Sequence, residues 1–122
     1  MSQKFYRDVR EEVLYDEESL TASENSAAFT AQNVEVGQFY LAVADWSALT
    51  SLDVKVQSKD PAGNWYDLGV AFTQATGNTT ELKNSLNATY GNPIPLGKFL
   101  RFVITIVGTG SATVTLSFIG KS

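Results

Sequence analysis

Hydrophobic and polar positions alternate with a period of two along much of the C-terminal third of the chain. Leu100, Phe102, Ile104 and Ile106 alternate with Arg101, Val103, Thr105 and Val107. Gly108-Thr109-Gly110-Ser111 follows, and then Ala112, Val114, Leu116 and Phe118 alternate with Thr113, Thr115 and Ser117. Neighbouring side chains on a strand point to opposite faces, so the pattern predicts two strands, and the Gly-rich break between them predicts a β-hairpin. The second strand is two-faced, apolar toward a core and Thr or Ser toward solvent. The first is apolar on both faces, which predicts a central strand or one whose outer face meets a partner.

A second hairpin is predicted upstream. Leu52, Val54 and Val56 alternate with Asp53, Lys55 and Gln57, the turn Asp60-Pro61-Ala62-Gly63-Asn64 follows, and Trp65-Tyr66-Asp67-Leu68 returns. Pro and Gly stand where turn chemistry wants them. A further strand covers 38–44, with shorter candidates at 27–31 and 69–73. Residues 74–98 are loop-like, with Asn92-Pro93, Pro95 and Gly97, and 81–86 suits either a short helix or a strand. The first twenty residues fit two patterns: Tyr6, Val9, Val13 and Leu20 have helical spacing, while Val13-Leu14-Tyr15 suits a strand. The expectation is an extended arm over residues 1–12 leading into a domain over 13–122. Seven or eight short strands with frequent turn signals predict an all-β fold, an antiparallel β-sandwich or jelly roll with an N-terminal arm.

Composition narrows the chemistry. The 122 residues include no His and no Cys. That removes His-based acid–base catalysis, Ser-His and Cys-His nucleophile systems, thiolate sites and the usual zinc centres. No apolar stretch reaches membrane-spanning length, and no apolar run follows the first basic residues, so neither a membrane partner nor a leader is expected. The formal net charge is −4. Residues 1–24 hold seven acids and three bases, while 25–122 hold six of each. The body thus counts as neutral, and no basic patch for nucleic acid is apparent in the sequence.

Carboxylate pairs are the remaining route to hydrolysis. Glu35, Asp45, Asp53, Asp60, Asp67 and Glu81 are available, but surface and turn roles account for them, so no catalytic residue is nominated and the chain is expected not to be an enzyme. Asp60, Asn64 and Asp67 cluster about a turn without the spacing of a calcium loop, which predicts turn capping, no metal and no cofactor. Trp65 and Tyr66 are strand neighbours, so one at most faces the core, and Trp65 is the expected core residue. Trp46 and Tyr66 are the candidates for stacking on a glycan. The N-terminal segment is the favoured partner-binding element, with Phe5, Tyr6, Arg7, Val9, Arg10 and Val13 as anchors, because a charged arm ahead of a compact domain gains order by lying on a neighbour.

The run from Leu52-Asp53-Val54-Lys55-Val56-Gln57 through Gly63-Asn64-Trp65-Tyr66-Asp67-Leu68 resembles a pattern in small virion proteins of tailed bacteriophages. The ending Phe99-Leu100-Arg101-Phe102-Val103-Ile104 through Gly110-Ser111-Ala112-Thr113-Val114 is similar to the last hairpin of the same proteins. The resemblance covers about residues 50–118, and carbohydrate-binding jelly rolls share its Gly-x-Trp hairpin. It implies a head-decoration, or cement, protein: made in the host cytoplasm, located on the virion, bound to the major capsid protein, and commonly a homotrimer. The alternative it leaves is a carbohydrate-binding module of a tail, fibre or surface protein.

Overall fold

A computed structural model describes residues 9–87 and 89–121, and these are all-β. Seven strands follow in order: β1 (Val9–Leu20), β2 (Glu24–Asn25), β3 (Phe29–Thr30), β4 (Val36–Lys59), β5 (Trp65–Ala71), β6 (Thr79–Asn84) and β7 (Phe99–Lys121). Every pairing is antiparallel. The backbone of the architecture is one long ribbon, β4 against β7, which runs from Val36↔Lys121 to Ser58↔Leu100.

The ribbon folds over on itself. Residues 112–121 of β7 lie between β1 and residues 36–44 of β4, which carry β6 on their other side. Residues 99–107 of β7 lie between β2 and β3 on one side and residues 51–58 of β4 on the other, with β5 beyond. Each half is therefore a four-membered layer, here called layer A and layer B. Ring contacts join them face to face. Phe39 of layer A meets Phe102 of layer B at 6.0 Å between ring centroids, and Phe118 of layer A meets Phe29 of layer B at 5.1 Å. This is the order of a jelly roll, and it fulfils the expected antiparallel sandwich.

Alternation explains the core. Phe39, Leu41 and Val43 face inward from one half of β4, and Leu52, Val54 and Val56 from the other. The inward set changes from odd to even numbers because irregularities between Ala44 and Ser51 add one net residue to β4 relative to β7. A one-residue shift flips every following side chain, so the bulged corner is what keeps both halves apolar inward. Asp45 and Ala48 take left-handed backbone there, with φ of 51° and 64°. Opposite them, a Cβ on Gly110 would sit 1.9 Å from the Ser47 carbonyl oxygen, so only glycine allows the two backbones to approach this closely.

Three expectations change. The break at Gly108-Thr109-Gly110-Ser111 is no hairpin turn: β7 continues through it and bends, and its two halves pair with β4 rather than with each other. The strands expected at 38–44 and 52–57 are likewise one strand, β4. The expected boundary between residues 12 and 13 falls inside β1, which pairs with β7 on both sides of it, at Val9↔Lys121 through Glu12↔Phe118 and at Val13↔Ser117. The hairpin through residues 60–64 forms as expected, closed by Asp60 N to Asn64 O at 2.8 Å, with the Asp60 carboxylate accepting the Asn64 N–H at 2.8 Å. β7 is central in both layers, as expected for the strand that is apolar on both faces over 102–107.

Candidate functional site

The outer faces of the two layers differ in chemistry. On layer A, the register places Val13, Ser117, Tyr40 and Leu82 in one row across β1, β7, β4 and β6. Val13 is 63% exposed and Leu82 50%. The rows beside it hold Glu11, Ile119, Gln38 and Asn84, and then Thr115, Ala42 and Thr80. Glu11 is the charged member of these rows. A shallow depression of about 360 Å³ lies along Tyr40, Ala42, Thr80, Leu82, Thr115 and Ser117. Glu81 also lines the depression and Glu17 borders Thr115 at the β1 edge, so the charges of this partly apolar face are few and acidic.

On layer B, cations and aromatic rings converge. The Arg101 guanidinium lies 4.4 Å from the Trp65 ring centroid. Lys59 Nζ stands 5.8 Å from both the Trp65 and the Phe99 rings, and Lys98 Nζ is 5.4 Å from Phe99. Arg101 is held in place: its Nε and Nη2 donate to Gln57 Oε1 at 3.0 and 2.8 Å, and Gln57 Nε2 donates to Asp67 Oδ1 at 3.0 Å. Asp67 also pairs with Lys55 at 2.9 Å. The Gln57 amide first, and then Lys55, hold the Asp67 carboxyl below its usual range. Lys59, Lys98 and Phe99 line a groove of about 540 Å³ that runs under the 60–63 turn.

Four of the chain's nine Lys and Arg residues thus share one face. The even charge count of residues 25–122 concealed this, because Lys55 and Lys59 are some forty positions from Lys98 and Arg101 and meet only through β4–β7 pairing. Alternation did carry a signal: residues 55, 57, 59 and 99, 101 all fall on the outward parity of their strands. Trp65 is a correction. It belongs to this outer face and not to the core, because it pairs with Lys59, an outward position.

The other nominated residues are dispersed. Phe5, Tyr6 and Arg7 lie outside the described residues. Val9 and Val13 point outward from β1, 53% and 63% exposed. Arg10 is occupied, donating from Nη1 to the Thr30 carbonyl at 3.2 Å and to the Thr30 hydroxyl, which ties the edge of layer A to the edge of layer B. Trp46 packs against the core at the bulged corner, and its backbone N–H donates to Asn78 Oδ1 at 3.0 Å. Tyr66 is 57% exposed and pairs with Ser58, at the far end of the same strand. Trp46 and Tyr66 therefore stand at opposite ends of the sandwich and form no common platform. Among the described residues the buried polar side chains are three serines, Ser26, Ser51 and Ser85, and no group of three or more acids is placed to hold a metal.

No protein-family model matches the chain, and no curated protein matches it by sequence. Solved structures share its fold. An SPBc2 prophage-derived protein, YomS, superposes with a TM-score of 0.56 at 14% identity over 96% of both chains. A chain of infectious bursal disease virus, Gx strain, superposes with a TM-score of 0.63 at 11% identity, over 95% of this chain and 33% of that one. The enzymatically active domain of bacteriophage CBA120 tailspike protein 4 gives 0.50 at 13% identity, over 95% of this chain and 18% of the tailspike. The chain thus spans about a third of the viral protein and under a fifth of the tailspike, and at these identities the likeness is one of fold.

Proposed function

We propose that this chain is a structural protein of a phage virion that works by binding rather than catalysis, and that it attaches to the outside of the head as a decoration protein. The observation that carries the reading is the end-to-end likeness to a prophage-derived protein of the same length class, with a virus protein among the other structures of this fold. The outer face of layer A supports it: the uncharged row Val13, Ser117, Tyr40 and Leu82 offers a broad contact without a substrate cleft. The partner in this reading is the major capsid protein, and the site of action is the virion. Stacking on a glycan is the weaker reading, because the exposed ring of Tyr66 stands alone and the Trp65 ring is covered by Arg101.

The test is co-sedimentation with shells assembled from the major capsid protein of the same phage. The wild-type chain should pellet with the shells at saturating, symmetry-related stoichiometry. Leu82→Asp and Val13→Asp should abolish pelleting while leaving circular dichroism unchanged, since each places a charge on an exposed apolar position at one end of the contact row. Wild-type protein that stays in the supernatant would sink the head-decoration reading.

A further inference from the structure

The groove on layer B has a chemical complement elsewhere on the same chain. Among the described residues strand β1 is an edge of layer A, and it presents Asp16, Glu17 and Glu18 in succession. In a regular strand one of three consecutive side chains would face opposite to the other two. Here irregularities between Val13 and Glu18 and a left-handed Glu17, at φ 50°, leave all three exposed. Among the described residues none of the three forms an ion pair, and neither do Lys59 and Lys98.

The two surfaces cannot meet within one molecule. Layer A is ordered β1-β7-β4-β6 and layer B places β5 beyond β4, so the acidic edge and the Trp65 side of the groove lie at opposite edges of the sandwich. The groove itself is prepared for anions. Lys59 and Lys98 are exposed, and Arg101 keeps Nη1 without a protein acceptor among the described residues. Asp60 also lines the groove, but its carboxylate is turned into its own turn, and the Asn64 N–H holds its pKa down.

We propose that the Lys59–Lys98–Arg101 groove receives the acidic edge strand β1 of a second copy of this chain. The contact joins two different patches, so it is head-to-tail and repeats from copy to copy. Charge complementarity sets its register and makes it salt-sensitive. The inference goes beyond head attachment, which uses the outer face of layer A, whereas this contact joins the layer B groove to the acidic edge of β1, and it stands whether or not a capsid is the partner.

Charge reversal tests it on the full chain, by sedimentation velocity at about 50 mM and 500 mM salt, a range over which the screening length falls from above to well below 10 Å. Wild type should associate at low salt and dissociate at high salt. K59E/K98E and E17K/E18K should each weaken association at least about tenfold, since each sets like charges against one another. The four-substitution chain K59E/K98E/E17K/E18K should regain association, because the substituted positions again face opposite charges while Arg101 and Asp16 keep theirs, a recovery that misfolding could not produce. A wild-type monomer at low salt, or no recovery in the fourfold variant, overturns the proposal. So does micromolar binding of single-stranded DNA or a heparin oligosaccharide that K59E/K98E abolishes while self-association persists, which would assign the groove to polyanions.

Discussion

Gly110→Ala tests the feature on which the whole fold turns, the bulged corner of the β4–β7 ribbon. The added Cβ would lie 1.9 Å from the Ser47 carbonyl oxygen and 3.0 Å from both the Ala48 carbonyl carbon and the Leu49 nitrogen. Ordinary contact begins near 3.4 Å, so the first of these is short by about 1.5 Å. All three atoms are backbone, and both strands are held by ladder pairs on either side, Ala44↔Thr113 before and Ser51↔Val107 after. No rotamer change can relieve the overlap, and the corner must open. Overpacking costs ~1–3 kcal/mol where side chains can adjust, so a backbone clash of this depth should cost at least ~3 kcal/mol. For a chain of this length that is a fall in Tm on the order of 10 °C. Thermal and urea unfolding followed by circular dichroism would measure it, with coincident transitions from a second probe as the two-state check. Gly77→Ala is the control, since its Cβ would have no heavy atom within 4 Å; it should change stability by no more than ~0.5 kcal/mol. A Gly110→Ala protein within ~1 kcal/mol of wild type would show that the two strands do not approach as described, and the account of the corner would fail.

Phe102→Ala should cost ~3–5 kcal/mol in urea unfolding, because Phe102 is fully buried and touches Phe29 and Phe39 across the core. Trp65→Ala should cost less than half as much, losing partial burial and the Arg101 contact of ~0.5–1 kcal/mol; equal losses for the two would return Trp65 to the core. A pH dependence is expected from Tyr15, whose phenol is buried and donates to Glu24 Oε2 at 2.8 Å. Burial first, then the Glu24 hydrogen bond and the Glu24 and Glu18 charges, push its pKa above the usual 10.0. The folded state then holds a proton that the unfolded state releases, so this stabilisation is complete below about pH 10 and fades as pH rises further. Tyr15→Phe should flatten the alkaline fall of the urea midpoint relative to wild type; identical slopes from pH 9 to 11 would remove Tyr15 from the explanation.

Much of the fold was legible because alternation is a local property. The inward residues 112, 114, 116 and 118 of β7 could be named from their parity, and the turn at residues 60–64 from its Asp, Pro and Gly, which have specific conformational roles. Residues 81–86 were left open between a short helix and a strand, and residues 79 and 80 read as loop, because this stretch alternates weakly; only pairing with β4 decides that 79–84 is a strand. Arg10 read as a free anchor because its acceptor, Thr30, is twenty residues away.

What the sequence by itself determined is the all-β class, the alternating segments 38–44, 52–57 and 112–118 with their buried faces, the absence of His and Cys chemistry, and the acidic bias of the first 24 residues. The tertiary structure decided three things: that Gly108 to Ser111 is a bend rather than a turn, that Trp65 faces outward, and that the scattered cations of a neutral body form one face. The physical reason is common to all three. A Gly-rich break permits either reversal or bending, and the choice depends on whether each flank buries more apolar surface against its sequence neighbour or against a distant strand. Here both flanks of β7 pair with β4, and that pairing, between residues 42 to 85 positions apart, bends the ribbon and gathers Lys55, Lys59, Lys98 and Arg101 around Trp65.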